Sequence, residues 1–348
     1  MITVGIDTTP LTDLNAFRGV GYYTQNLVEN LKTGKEKVKV ISGQWRDFWP
    51  TVDLIHFPYF DLFFNTLPFS KKRPTVVTIH DCIPLVLAKF YPVGIRGKLN
   101  LIKQKVSLAG VKAIITDSQS SQKDIVKYLK IPPEKVSVVY LAASKIFKPI
   151  RSSTVLRRIM VKYGLPESFV LYVGDVNYNK NIPCLIDALA ALSEKKISLV
   201  LVGKAFENEE LPEVKQIKEK VAKMNLVERV KFLGYVPMED LVAIYNLASV
   251  YCQPSLYEGF GLQILEAMAC GLPVITANVS SLPEVAGNAA VLVDPNDSKQ
   301  LALNLQTVIN DLTLRKKMIK LGFAQVKKFS WERTAQETLK IYEKILAS

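Results

Sequence analysis

Histidine is nearly absent from this chain: His56 and His80 are the two it has in 348 residues. Its four cysteines, Cys82, Cys184, Cys252 and Cys270, stand far apart without a Cys-x-x-Cys pair. A structural zinc site needs three or four such ligands at short spacing, and a disulfide framework needs clustered pairs, so both are excluded and the cysteines read as small buried hydrophobes. No apolar run reaches the roughly 20 residues that cross a bilayer as a helix. Met1 leads straight into the strand-like Ile2-Thr3-Val4-Gly5-Ile6 without a basic leader, so a cytoplasmic protein is expected. Internal repeats and low-complexity tracts are missing as well.

What remains is ordinary globular material, 49% hydrophobic and 22% charged, in a chain long enough for two cores. The net charge of +13 is unevenly placed. Residues 1–165 hold 25 Lys and Arg against 11 Asp and Glu, whereas residues 166–348 hold 20 against 21. Scattered lysines ordinarily mean solubility, but an excess confined to one half also suits anionic lipid or another polyanion. Phe57-Pro58-Tyr59-Phe60-Asp61-Leu62-Phe63-Phe64 followed by Lys71-Lys72-Arg73 places aromatics beside cations, as at a membrane interface. Burial of those rings in a core is an equal reading.

Strand-like runs alternate with helix-length segments throughout, which predicts parallel α/β sheets. The first half has Ile2–Ile6, Val38–Ile41, Leu54–Phe57, Thr75–Ile79, Ala113–Thr116 and Val136–Tyr140. The second has Phe169–Val173, Ser198–Val202, Val230–Leu233, Val250–Gln253, Val274–Thr276 and Ala290–Val293. The polar, proline-bearing stretch around Lys148-Pro149-Ile150-Arg151 reads as the join, giving domains 1–150 and 151–330 and a last amphipathic helix in 331–348.

The most informative segment is 254–273. Gly259-Phe260-Gly261 directly precedes Leu262, Leu265 and Ala269 at helical spacing, closed by Gly271 and Pro273. A helix opening at glycines offers its first amides, and the positive end of its dipole, to an anion that can come close. Glu258 precedes this turn and Glu266 lies inside the helix, where a carboxylate can accept hydrogen bonds from a ribose. Gly-Phe-Gly alone is matched by many plain surface turns; the whole segment is far more specific.

That segment resembles the Glu-x7-Glu motif of retaining glycosyltransferases of family 4 with the GT-B fold. The same order of motifs continues in Gly19-Val20-Gly21-Tyr22-Tyr23, Thr78-Ile79-His80-Asp81, Tyr172-Val173-Gly174 with Lys180-Asn181, Ser281 to Gly287, and Phe329-Ser330-Trp331. The likeness is nearest to the mannosyl- and rhamnosyltransferases of surface polysaccharide assembly. It implies two Rossmann-like, doubly wound domains facing across a cleft, with the last helix crossing back to the first domain. The implied activity is retaining transfer of a hexose from a nucleoside diphosphate sugar, GDP- or UDP-linked, to a hydroxyl of a lipid-linked or saccharide acceptor. No cofactor is implied, and no metal, since there is no Asp-x-Asp motif. No nucleic acid partner is expected, and peripheral contact of the first domain with an anionic membrane is.

Under this resemblance Glu258, His80 and Lys180 carry the chemistry. The donor is held by Gly19, Val20, Gly21, Gly174, Lys180, Ser255, Glu258, Gly259, Phe260, Gly261, Leu262 and Glu266. His80, ending a strand and oriented by Asp81, contacts the sugar; Lys180 faces the diphosphate; Glu266 takes the ribose. Glu284 holds a loop, and Ser118, Ser120 and Ser121 read as N-caps. The chain departs from the family pattern at Asp175 and Asn179, where many relatives carry an arginine, leaving Arg229, Lys204 or a residue of the first domain to supply a second cation. A protein that keeps the fold but has lost the chemistry, binding membrane or a polyanion, is the alternative reading. A phosphorylase, which needs a pyridoxal lysine and a much longer chain, and an epimerase, with a different central motif, fit less well.

Overall fold

The structure, a computed structural model, describes residues 2–12, 19–33 and 38–347. The twelve apolar runs form β1 (Ile2–Asp7), β2 (Val38–Gly43), β3 (Leu54–Phe57), β4 (Thr75–Thr78), β5 (Ala113–Thr116) and β6 (Val136–Val138), then β7 (Phe169–Val173), β8 (Ser198–Val202), β9 (Val230–Leu233), β10 (Val250–Gln253), β11 (Val274–Ala277) and β12 (Ala290–Val293). They build two six-stranded sheets, ordered β2-β1-β3-β4-β5-β6 and β12-β11-β10-β7-β8-β9. Every pairing is parallel. The central strands β3, β4, β5, β10 and β11 are buried along their whole length. This is why they read as unbroken apolar runs instead of alternating ones.

In each sheet the chain lays strands outward on one side and then returns to the other, so the order reverses between β1 and β3 and between β7 and β10. Such a switch point opens a crevice at the carboxyl ends of the two strands, where doubly wound sheets place their ligands.

The chain divides into Met1–Ala142 with Phe329–Ser348, and Ala143–Lys328. The division precedes the polar stretch at 148–151 because that stretch is tied to the second unit. The Phe147 ring meets Tyr245 at 5.7 Å, and the Ile150 amide donates to Asn246 Oδ1 at 2.7 Å. The closing helix Trp331–Leu346, capped by Ser330, buries Trp331, Thr334, Ala335, Thr338 and Tyr342 along one face. Trp331 packs on the rings of Tyr22 and Tyr23, and Thr334 Oγ1 donates to the Tyr140 carbonyl. Tyr342 Oη lies 2.6 Å from His56 Nδ1, whose Nε2 meets Thr78 Oγ1 at 2.8 Å. Burial pulls His56 down to about 3, so this histidine is a neutral core residue.

Two local expectations change. Gly19, Val20 and Gly21, which read in the sequence as a glycine-rich loop between the first strand and a helix over 22–31, form the first turn of a helix, Gly19–Thr33. In the aromatic stretch, Phe57, Phe60 and Leu62 are core residues and Phe63 packs against the same core, leaving Phe64 exposed. All four cysteines are buried and free. Among the described residues no helix is long and apolar enough to cross a membrane.

Candidate active site

In the second unit the switch point is furnished by the turn after β7 and the loop after β10. Two asparagines lace these together. Asn179 Nδ2 donates to the Tyr257 carbonyl at 2.9 Å, and its own carbonyl accepts the Leu256 amide at 2.7 Å. Asn181, at the left-handed φ of 55°, donates to the carbonyls of Pro254 and Pro295 at 2.9 and 2.7 Å. Between them, Lys180 closes a 3-10 turn, Tyr178–Lys180, and its ammonium lies 2.8 Å from both carboxylate oxygens of Glu258.

Glu258 is held from every side. Its Oε1 also accepts from Gln253 Nε2 at 2.8 Å and Ser255 Oγ at 2.7 Å. Its amide donates to Ser280 Oγ, and its carbonyl accepts from Ser281 Oγ, both at 2.9 Å. Gln253, Ser255, Ser281 and Glu258 itself are buried. A carboxylate so surrounded has one orientation, and its charge is offset by one cation and two neutral donors.

Three residues on, Gly261 turns the chain into the helix Leu262–Ala269 at φ 98°. A Cβ there would stand 2.9 Å from Leu282 Cδ2. Only glycine fits this turn without strain. Ser281 Oγ bonds the Phe260 carbonyl at 2.9 Å, so one serine fixes the backbone on both sides of Gly259. The first amides of the helix therefore start from a rigid base, with the dipole of the helix behind them. One turn in, Glu266 is buried and accepts from Tyr245 Oη at 2.9 Å. Burial raises its carboxyl to about 7, only partly offset by that bond.

At the end of β7, Gly174 approaches Gly203, the residue after β8, so closely that a Cβ on Gly203 would fall 2.0 Å from the Gly174 carbonyl oxygen. Gly203 belongs with Gly174, and the equivalent strand-then-glycine pattern in Val202-Gly203 was its signal in the sequence. Lys204 follows it, exposed at the carboxyl edge of β8. Arg229 is a poor substitute cation: it precedes β9, at the opposite edge, and donates twice to the Ile197 carbonyl. Asp175 and Asn179 hold backbone in place, Asp175 through the Val176 amide and the Tyr172 hydroxyl.

In the first unit His80 follows β4. Its Nδ1 is 2.6 Å from Asp117 Oδ2 and its Nε2 is 3.1 Å from the Pro58 carbonyl. Both partners are acceptors, so only the doubly protonated ring satisfies both. Burial opposes that charge, but Asp117, then Asp81 and the Pro58 carbonyl, outweigh it and raise the pKa. The residue that orients His80 is thus Asp117, at the end of β5, and not its neighbour Asp81, which accepts the Ile83 amide. Tyr23 meets the His80 ring edge-on at 4.8 Å and bonds Thr78 Oγ1, which ties the helix begun by Gly19, Val20 and Gly21 to this histidine. Ser118 caps the helix Gln119–Asp124.

Gly174, Lys180, Ser255, Glu258, Gly259, Phe260, Gly261, Leu262 and Glu266 all belong to the second unit; Gly19, Val20, Gly21 and His80 belong to the first. Gln253, Ser280, Tyr245 and Asp117, each of which positions one of these residues, carry no motif of their own in the sequence.

The model of the glycosyl transferases group 1 matches residues 158–325, and that of glycosyltransferase family 4 matches residues 41–143. O-antigen chain mannosyltransferase B of Escherichia coli is 33% identical over 290 residues, 80% of this chain and 72% of that protein. The serotype-specific mannosyltransferase WbdA of Escherichia coli is 29% identical over 280 residues, which are 79% of this chain but 34% of WbdA. Among solved structures, sucrose-phosphate synthase from Thermosynechococcus elongatus superposes over 100% of both chains with a TM-score of 0.80 at 22% identity, a likeness of fold. With both units matched in sequence and both parallel sheets shared with GT-B enzymes, the chain belongs to the group 1, family 4 glycosyltransferases.

Proposed function

We propose that this glycosyltransferase moves a hexose, mannose-like, from a nucleoside diphosphate sugar, GDP- or UDP-linked, to a hydroxyl of a saccharide or lipid-linked acceptor, with retention at the anomeric carbon. The observation that carries this reading is the Lys180–Glu258 pair, set at the β7/β10 switch point immediately ahead of a glycine-opened helix. Two of the relatives are mannosyltransferases, which favours mannose.

In this reading Lys180 and the amides of Phe260 to Leu262 offset the charge that grows on the diphosphate as the glycosidic bond breaks, with no metal or cofactor required. Lys204, at the neighbouring strand end, adds the second cation that Asp175 and Asn179 do not supply. Glu258 holds the sugar, with Ser255 and Gln253 fixing its carboxylate, and Glu266 holds the ribose. Gly174 lets the backbone come close to the donor. On the first unit Gly19, Val20 and Gly21 bind substrate through the start of their helix, and His80 binds it by exchanging the Pro58 carbonyl for a hydroxyl. Four free, buried cysteines fit a reducing, cytoplasmic setting, and the basic first half suits peripheral contact with an anionic membrane.

Calorimetric titration with GDP-mannose and UDP-glucose, followed by NMR of the product's anomeric proton with and without a chelator, tests the reading. Binding of one donor and an α-linked product from an α-donor, undiminished by chelation, supports it. An inverted product or loss of turnover on chelation overturns retention or metal independence respectively. Absence of binding to any nucleoside diphosphate sugar overturns the whole.

A further inference from the structure

Residues 82–116 contain six lysines and arginines and no aspartate or glutamate. At their centre lies the helix Gly94–Ser107. Ile95, Leu99, Ile102 and Val106, spaced at i, i+4, i+7 and i+11, are 80, 54, 59 and 57% exposed. At 3.6 residues per turn they fall within about 60° of arc, a ridge about 16 Å long. Arg96 and Lys103, both exposed, flank one side of the ridge and Lys98 the other, where Lys105 donates to the Tyr128 carbonyl at 2.7 Å.

The fully buried side chains of this helix are the polar ones, and of its apolar residues Leu101 alone packs, half-buried, against the core. Gln104 and Ser107 are buried; Gln104 Nε2 donates to the Asp61 carbonyl at 2.8 Å, and the Ser107 carbonyl accepts from Lys71 Nζ at 2.6 Å. A surface helix in a water-soluble protein is expected the other way round, apolar face inward. The same two bonds pin the 61–71 loop to the helix. That loop carries Phe64 and Phe69, 71 and 51% exposed, and Asp61 Oδ1 accepts the amides of Phe63 and Phe64, fixing the turn that presents Phe64.

We propose that the Gly94–Ser107 helix docks on an anionic lipid bilayer, its ridge in the boundary between headgroups and acyl chains and its flanking cations on lipid phosphates. Charge decides the occupant: a second copy would set two acid-free rows of cations against each other, whereas anionic lipid complements cations and apolar ridge at once. This names the surface for the membrane contact proposed above and rests on it. Vesicle binding is read without donor or acceptor, so failure here leaves the sugar-transfer reading standing.

The test is sedimentation of the full chain with phosphatidylcholine vesicles, with and without phosphatidylglycerol. The wild type is expected to bind the anionic vesicles, less so with added salt. Leu99→Ser/Ile102→Ser changes two exposed side chains, so its melting temperature stays that of the wild type while its affinity falls on the order of tenfold or more. Arg96→Glu/Lys103→Glu loses the salt-sensitive part. Equal binding of the Ser variant and wild type, equal binding to neutral vesicles, or no binding by the wild type overturns the proposal. A dimer in sedimentation velocity that the Ser variant abolishes, without vesicle binding, reassigns the ridge to self-association and overturns it too.

Discussion

Lys180 Nζ sits 2.8 Å from each carboxylate oxygen of Glu258, so a diphosphate that recruits the lysine competes with the glutamate. Glu258→Gln removes the competing charge while Ser255 and Gln253 still have an amide to bond. Donor affinity is expected to stay level or rise, and kcat to fall by about two orders of magnitude through the lost sugar contact. Lys180→Ala is expected to weaken donor binding by roughly 1.5–3 kcal/mol, the worth of a charged hydrogen bond. Titration calorimetry on both variants checks this, and equal loss of donor affinity in the two sinks the division of roles.

Glu266 gives a pH signature. Its folded carboxyl is raised to about 7 from an ordinary 4.5, so the favourable protonated state is fully present below 4.5 and lost as pH rises through 7. Glu266→Gln is expected to stabilise the protein above pH 7 by about 3 kcal/mol at most, an advantage that vanishes by pH 4.5. Because the ionised carboxylate is the stronger acceptor for a ribose, the same variant raises the donor KM while leaving kcat nearly unchanged. Urea melts at pH 5 and pH 8 decide the first point. A stability gap that does not widen with pH contradicts the buried-acid assignment.

All twelve strands were legible in the sequence, the central ones most plainly, because parallel strands buried on both faces are written as short unbroken apolar runs bounded by glycine and polar turns. Glu258, Gly261 and Glu266 were legible because their motif is local, spanning one turn and one helix. The residues that hold them were not. Gln253 reaches Glu258 from the end of β10, Ser280 reaches it from another loop 22 residues on, and Tyr245 reaches Glu266 across 21 residues. Asp117 is 37 residues from His80, and only the pairing of β4 with β5 makes them neighbours, whereas adjacency in sequence pointed to Asp81. The 94–107 helix went unremarked for the opposite reason: its apolar spacing reads as an ordinary core-facing helix, and only the fold tells which face is buried.

Gly261→Ala tests the base of the helix. At φ 98° with Leu282 Cδ2 2.9 Å from the added methyl, the variant is strained in its backbone and crowded besides. A loss of about 1–3 kcal/mol in unfolding free energy is expected, with the denaturant slope unchanged. Donor affinity should fall with it, since Phe260 to Leu262 shift. Gly259→Ala, at a position without positive φ, serves as the control, and an equal loss of stability there refutes the strain argument.

Asp117→Asn isolates the charge on His80. In the native protein burial alone would lower the imidazole, and Asp117 is the largest of the influences that raise it above 6.5. The stability that the imidazolium contributes is therefore fully present below pH 6.5 and lost as pH rises through the folded value. An asparagine keeps an oxygen to accept from Nδ1 but carries no charge, so burial dominates and the His80 pKa drops below 6.5. The sign of the pH dependence then inverts: the variant loses stability as pH falls, because a neutral buried ring must charge. The two-histidine composition makes this readable. His56, lowered to about 3, stays silent above pH 5, so one imidazole resonance titrates in an NMR pH series. A His80 titration midpoint that does not move in the variant refutes Asp117 as its counter-ion. A midpoint that falls while the pH dependence of the melting temperature keeps its sign refutes the linkage between this pair and folding.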